Sequence, residues 1–147
     1  MPDSKIEQIF IERFATVPFQ KELGLTMVSV EGSTIIARLS NRPGLMGNEL
    51  TGILHGGVVA SMIDSVGGFV AGQAARLRLE GLGEPIDRIQ KIATIDRRVD
   101  YLSPGRGDFF IVTGNALKVG SRFISTRMEV RDQNEGLVAA GSANFLY

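Results

Sequence analysis

Leu54-His55-Gly56-Gly57 opens the most apolar stretch of the chain, and Asp64 is the first charge inside that stretch. Length and composition predict a buried helix from Gly56 to about Arg76, built on Val58, Val59, Met62, Ile63, Val66, Phe69 and Val70. On such a helix Gly57 and Asp64 are seven residues apart, two turns, and share a face with Ser61 and Gly68. That face is a strip of small residues around one carboxylate. A carboxylate without partners in an apolar helix is costly. Desolvation disfavours its charged form, which suits general-base work. At the start of the strip the helix presents free N–H groups, and Gly56-Gly57 lets a ligand approach them. Together with the helix dipole they suit a developing oxyanion. Helical rise separates Gly57 from Asp64 by about 10 Å, a span that a water or a second subunit's carboxylate would shorten. The competing readings are plain ones: Asp64 bonded to a neighbouring loop, His55 as a capping or packing residue, and two glycines that merely open a helix.

The elements that must hold these residues can be read from periodicity. Residues 4–18 form an amphipathic helix with Ile6, Ile9, Phe10 and Phe14 on one stripe, capped by Asp3 or Ser4. Phe19 to Leu25 reads as a connector with a break at Gly24. Thr26 to Leu39 is a hairpin turning at Glu31-Gly32-Ser33, and Asn41 to Thr51 is a loop marked by Pro43-Gly44 and Gly47-Asn48. In the long helix Gly67-Gly68 costs roughly 1 kcal/mol per glycine against alanine, which implies close packing of another backbone or a ligand. Arg78 to Lys91, with Gly81, Gly83 and Pro85, reads as a mobile flap. The period then changes to two. Strands are expected over 93–102, 109–119, 122–132 and 137–147. The fold class is α+β, with an antiparallel sheet curved around a central helix that must bury nearly its whole surface.

Composition narrows the functions. The 147 residues suit one domain, with residues 1–18 as its N-terminal helix and 19–147 as its core. Lys and Arg total 16, Asp and Glu total 16, and a neutral chain lacks the bulk positive field of a general nucleic-acid binder. There is no Cys and one His, so thiolate chemistry and His-cluster metal sites are excluded. No phosphate-binding glycine loop of the P-loop or dinucleotide type is present. The N-terminus has no long apolar run of the secretory kind. The apolar stretch at 56–75 contains Asp64, Gln73 and five glycines, a poor membrane span. A cytoplasmic location is the expectation.

Gly52-Ile53-Leu54-His55-Gly56-Gly57 followed by Asp64 resembles the hotdog-fold acyl-CoA thioesterases, specifically the PaaI-like (phenylacetate-pathway) group. The likeness continues through Val99-Asp100-Tyr101-Leu102-Ser103-Pro104, Gly107-Asp108 and Lys118-Val119-Gly120-Ser121-Arg122. It spans roughly Phe19 to Tyr147. The resemblance implies a five- or six-stranded antiparallel sheet around the helix. It also implies a homodimer or a dimer-of-dimers tetramer with active sites between subunits, and hydrolysis of acyl-CoA without a cofactor beyond the CoA of the substrate. Asp64 would be nucleophile or general base, and the Gly57 N–H would polarise the thioester carbonyl. Gly56, Ser61 and Ser103 would lie against the substrate. CoA phosphates call for a basic patch, with Arg106, Lys118, Arg122 and Arg97 or Arg98 as candidates. One position departs from the family pattern. Where relatives carry Asn, three residues before the first Gly of the motif, this chain has Glu49, with Asn48 preceding it. Either Asn48 takes the loop role by a one-residue shift, or Glu49 brings a second carboxylate.

Two other functions fit the same residues. A hydroxyacyl-thioester dehydratase on this fold would use His55 with an acid. A non-catalytic acyl-CoA-binding module would use the cleft without turnover. About 20 residues precede the core, too few for a fused DNA-binding helix-turn-helix.

Overall fold

In a computed structural model residues 4–147 are described. Their elements are α1 (Ser4–Thr16), α2 (Pro18–Leu23), β1 (Leu25–Glu31), β2 (Thr34–Ser40), β3 (Met46–Asn48), β4 (Ile53–Leu54), α3 (Gly56–Leu82), β5 (Ala93–Tyr101), β6 (Phe109–Val119), β7 (Phe123–Asp132) and β8 (Leu137–Leu146). The alternating strands do what their pattern requires. Ile35, Ala37 and Leu39 of β2, Phe110 and Val112 of β6, and Ile124, Met128 and Val130 of β7 all point into the core. The six long strands form one sheet in the order β1-β2-β6-β7-β8-β5, with every neighbour antiparallel. β3 and β4 make a separate short ladder in front of α3. This is the hotdog architecture, a sheet closed around one long helix.

Glycine on both partners lets helix and sheet approach. A methyl group at Gly114 of β6 would sit 2.8 Å from Val66 and Val70, and one at Gly67 would sit 2.9 Å from Met128. The close packing expected at Gly67-Gly68 is therefore met at Gly67 by side chains of the sheet rather than by backbone.

α3 has enough length and hydropathy to cross a membrane, with a mean hydropathy of 1.3 in its most apolar window, but 67% of that window is buried inside the protein. Here it serves as the core helix.

Three elements differ from the sequence expectation. α3 runs on to Leu82 because Leu79 is buried and Arg76 pairs with Glu80 one turn later, at 2.6 Å. Gly83 ends it in the left-handed conformation, φ 67°, returning its N–H to the Leu79 and Glu80 carbonyls. The expected flap is thus divided: Arg78–Leu82 is helix, and Ile86–Lys91 is a 3-10 turn. The expected connector is the short helix α2, with Pro18 in its first turn and Gly24, φ 78°, as the break. Nor is α3 covered all round. Gly57 is exposed and Ala60, Ser61, Asp64, Ser65 and Gly68 are half-buried, which leaves the small-residue strip open. The cap expected at Asp3 or Ser4 lies outside the described side chains.

Candidate active site

The helix start is fixed before any side-chain chemistry is considered. The Leu54 N–H donates to Gly105 O at 2.9 Å and the His55 N–H to Leu45 O at 2.8 Å, so both sides of the β3–β4 unit hold the turn into α3. His55 is the N-cap. Its Nδ1 accepts the Gly57 N–H at 2.8 Å, which places the proton of the neutral ring on Nε2. Tyr101 of β5 donates its hydroxyl to Gly56 O at 2.9 Å and packs against Gly56, where a Cβ would meet the ring at 3.3 Å. Ser61 donates to Gly57 O at 2.7 Å.

Asp64 sits two turns further on and is 34% exposed. Thr94 of β5 donates its hydroxyl to Asp64 Oδ1 at 3.0 Å, and Arg97 Nη1 is 3.5 Å from the same oxygen. α3 and β5 therefore run in opposite directions, with Gly56 opposite Tyr101 and Asp64 opposite Thr94. Two of the plainer alternatives describe this geometry: Asp64 is hydrogen-bonded, by a strand rather than a loop, and His55 is a cap. Asp64 is neither unpartnered nor fully desolvated in the single chain, because β5 crosses it and supplies both the hydroxyl and the guanidinium. The Gly57 N–H is not free either, because the helix start satisfies it with the His55 ring.

Two clefts flank this face. One of about 850 Å³ includes Asp64, Thr94, Gly68, Gly72 and apolar side chains of α1 and of the 86–91 turn. The other, about 410 Å³, is lined by Gly56, Tyr101, Ser103 and Leu54 among others. Gly56 and Ser103, both candidates for substrate contact, line the same cleft. Ser103 donates its hydroxyl to Leu137 O at 2.7 Å, at the start of β8.

The basic candidates do not form one patch. Arg106 is near the helix start, where its Nη1 donates to Thr51 O at 2.8 Å and ties down the loop. Lys118 and Arg122 are exposed at the β6–β7 turn. That turn lies at the Ala93 end of β5, through the pairings of Val119 with Ile124, Ile124 with Phe145 and Phe145 with Thr94. Strand rise along β5 puts the two ends about 26 Å apart. Arg97 faces Asp64, whereas Arg98 pairs with Asp100. In the loop, Asn48 Oδ1 accepts the Leu50 N–H at 3.0 Å and its carbonyl accepts the Gly52 N–H, so Asn48 shapes the turn. Glu49 is exposed in that turn. Thr94 and Tyr101 are the site residues that sequence reasoning missed. Both lie on a strand that was legible, but its register against α3 was not.

Comparison with known proteins gives the family. The thioesterase superfamily model matches residues 51–139. The medium/long-chain acyl-CoA thioesterase YigI of Salmonella typhimurium is 34% identical over 132 residues, covering 88% of this chain and 85% of that protein. YigI of Escherichia coli is 33% identical with the same coverage. A crystal structure from Shewanella oneidensis, described as related to the thioesterase superfamily, is 34% identical with a TM-score of 0.89 over 97% of this chain and 95% of that one. A thioesterase family protein from Silicibacter pomeroyi, 18% identical, shares the fold with a TM-score of 0.79 over 95% of each chain. The matched family segment begins just before the His-Gly-Gly turn and takes in α3, β5, β6 and β7, the elements that build the site, and the chain belongs to the thioesterase superfamily.

Proposed function

We propose that the protein hydrolyses acyl-CoA thioesters to free acid and CoA, with Asp64 as the catalytic carboxylate, and needs no cofactor beyond the CoA of its substrate. The observation that carries this reading is the Asp64 carboxylate, held by Thr94 in the wall of a large, mainly apolar cavity. Asp64 either attacks the thioester carbon or takes a proton from the water that attacks it. Attack by Asp64 breaks the carbon–sulfur bond and forms an Asp64–acyl anhydride, which water then hydrolyses while giving a proton to the CoA thiolate; as a general base, Asp64 takes the water's proton and passes it to the departing CoA sulfur. The start of α3 supplies the donor for the carbonyl oxygen once the His55 ring yields the Gly57 N–H. The named activity of the YigI relatives supports the same reaction and extends it to medium and long acyl chains. The His-Gly-Gly motif supports the finer PaaI-like grouping.

One chain does not bring Gly57 to Asp64. We therefore propose a homodimer in which β5 pairs with β5 of a second copy, so that Gly57 of one subunit faces Asp64 of the other. Among the residues of β5 only Val99 is even half-buried, and the strand lies at the edge of the sheet. A long edge strand left open is a pairing template.

Free-thiol release from acyl-CoAs of graded chain length tests the reaction. Wild type should turn over. Asp64→Asn should lose about 10²- to 10⁴-fold, the range for a removed acid–base group. Equal rates would remove Asp64 from the mechanism. Binding of acyl-CoA without turnover in wild type would establish a binding module instead.

A further inference from the structure

Asp64, Gly68, Gly72, Arg76 and Glu80 recur every fourth residue of α3, and all five line the 850 Å³ cavity. A cavity of this volume is in the range that binds medium-sized organic ligands. Its floor is bare at half-buried Gly68, whereas Gly72 is buried under Ile92, whose Cδ1 lies 3.3 Å from where a Cβ would stand. Its walls come from Ile9 and Phe10 of α1 and from Ile89 and Ile92 beyond the helix. The outer wall is pinned: Arg88 donates to Ser121 O at 2.8 Å and to Tyr147 O at 3.1 Å, and stacks on the Tyr147 ring at 4.7 Å.

The far end is polar. Arg76 is 6% exposed, with its Nε donating to Gln73 Oε1 at 3.0 Å, Nη1 on Glu80 at 2.6 Å, and its guanidinium 5.9 Å from the Phe10 ring centre. Arg13 and Asp87 line the cavity as well. A methyl terminus pushed into this charged end would desolvate it without compensation.

We infer that the groove is the acyl-chain site and that it measures the chain: the thioester carbon lies at Asp64, the methylenes run over Gly68 and then along Ile92 where it covers Gly72, and Arg76 sets the upper length. The inference rests on the proposed thioesterase reading. Twelve residues of helix from Asp64 to Arg76 span about 18 Å. An extended alkyl chain advances about 1.25 Å per carbon, from its bond lengths and tetrahedral angles, so the groove holds about 14 carbons. At Gly68 an added Cβ meets only Phe145, at an ordinary 3.6 Å, so a larger side chain there would fill the groove rather than displace the core.

The test measures kcat/KM for acyl-CoAs of graded length in wild type, Gly68→Leu and Arg76→Met. Each buried methylene is worth about fourfold, so displacing about three to four methylenes of the longer chain should lower the dodecanoyl-to-butyryl ratio about 100-fold in Gly68→Leu. Arg76→Met should raise the octadecanoyl-to-dodecanoyl ratio about 16-fold, the gain from two further methylenes being accommodated. A dodecanoyl-CoA with a photoreactive diazirine on its last carbons gives a readout on wild type alone. Label in α1, in 73–80 or in 86–92 supports the inference whether or not the variants fold. Label elsewhere, with unchanged ratios, overturns it and leaves the groove to a second copy of the chain. Absence of turnover with the label still in the groove overturns hydrolysis but not the acyl site.

Discussion

Thr94 and His55 each hold one end of the proposed catalytic face, and they make opposite predictions. Thr94 acts on Asp64 through a single hydroxyl and is a positioning residue. Thr94→Val should lower kcat about tenfold with KM little changed, the low end for a hydrogen bond to a charged group, and Thr94→Ser should restore it. A change in KM alone, or no rescue by serine, would remove Thr94 from that role. His55 holds the Gly57 N–H that catalysis is proposed to use. His55→Ala should cost about 1 kcal/mol of stability as a lost cap, read as a shift in thermal midpoint, yet turnover should persist because the N–H is freed. Complete loss of turnover with the fold intact would restore the hydroxyacyl-thioester dehydratase reading. The Gly57–Asp64 strip was legible because both residues lie on one helix, where spacing alone sets the face. Thr94, Tyr101 and the pairing of Arg97 with Asp64 were not, because these contacts depend on where a strand thirty or more residues away crosses that helix.

At the scale of the elements, glycines separate packing from propensity. Gly114 of β6 and Gly81 of α3 both lack a side chain, for different reasons. A methyl at Gly114 would press on Val66 and Val70 at 2.8 Å, while at Gly81 nothing lies within 4 Å. Gly114→Ala should therefore destabilise by about 1–3 kcal/mol through overpacking. Gly81→Ala should stabilise by roughly 0.5–1 kcal/mol, because an exposed helical position gains propensity and loses nothing. Chemical denaturation of the two variants reads both signs, and a stabilising Gly114→Ala would mean that helix and sheet are further apart than described. Strand positions were legible because alternation survives wherever one face is buried. The end of α3 was not. Its last turns are polar on the outside and are held by Leu79 and by the Arg76–Glu80 pair, a contact that only a helix already formed can make. Strand order was also hidden. β5 precedes β6 in the chain but pairs with β8, and chain order contains no term for that pairing.

The whole molecule is where the proposed mechanism is most exposed to test. Gly57 and Asp64 are separated by about 10 Å on one rigid helix, a distance that side-chain motion does not close. β5 leaves a nine-residue edge open beside the half-exposed strip that carries both groups. Pairing β5 with its copy around a two-fold axis would cover the edge and complete two equivalent sites, each with the helix start of one subunit and the Asp64 of the other. Complementation distinguishes this from a site within one chain. Asp64→Asn keeps the helix start but loses the carboxylate. Gly57→Pro keeps Asp64 but removes the N–H; no intrahelical bond is lost in the first turn, and the His55 ring, 2.9 Å from the added Cβ, must turn aside. Each variant alone should be inactive. After subunit exchange in an equal mixture, half the dimers are mixed and each mixed dimer regains one of its two sites, so activity should return to about a quarter of wild type. Sedimentation must show a dimer, and recovery should follow the rate of exchange. An inactive mixture of well-folded, exchanging dimers would place Gly57 and Asp64 in the same site only within one chain. The 10 Å span would then have to be bridged by water, and β5 pairing would be architecture rather than catalysis.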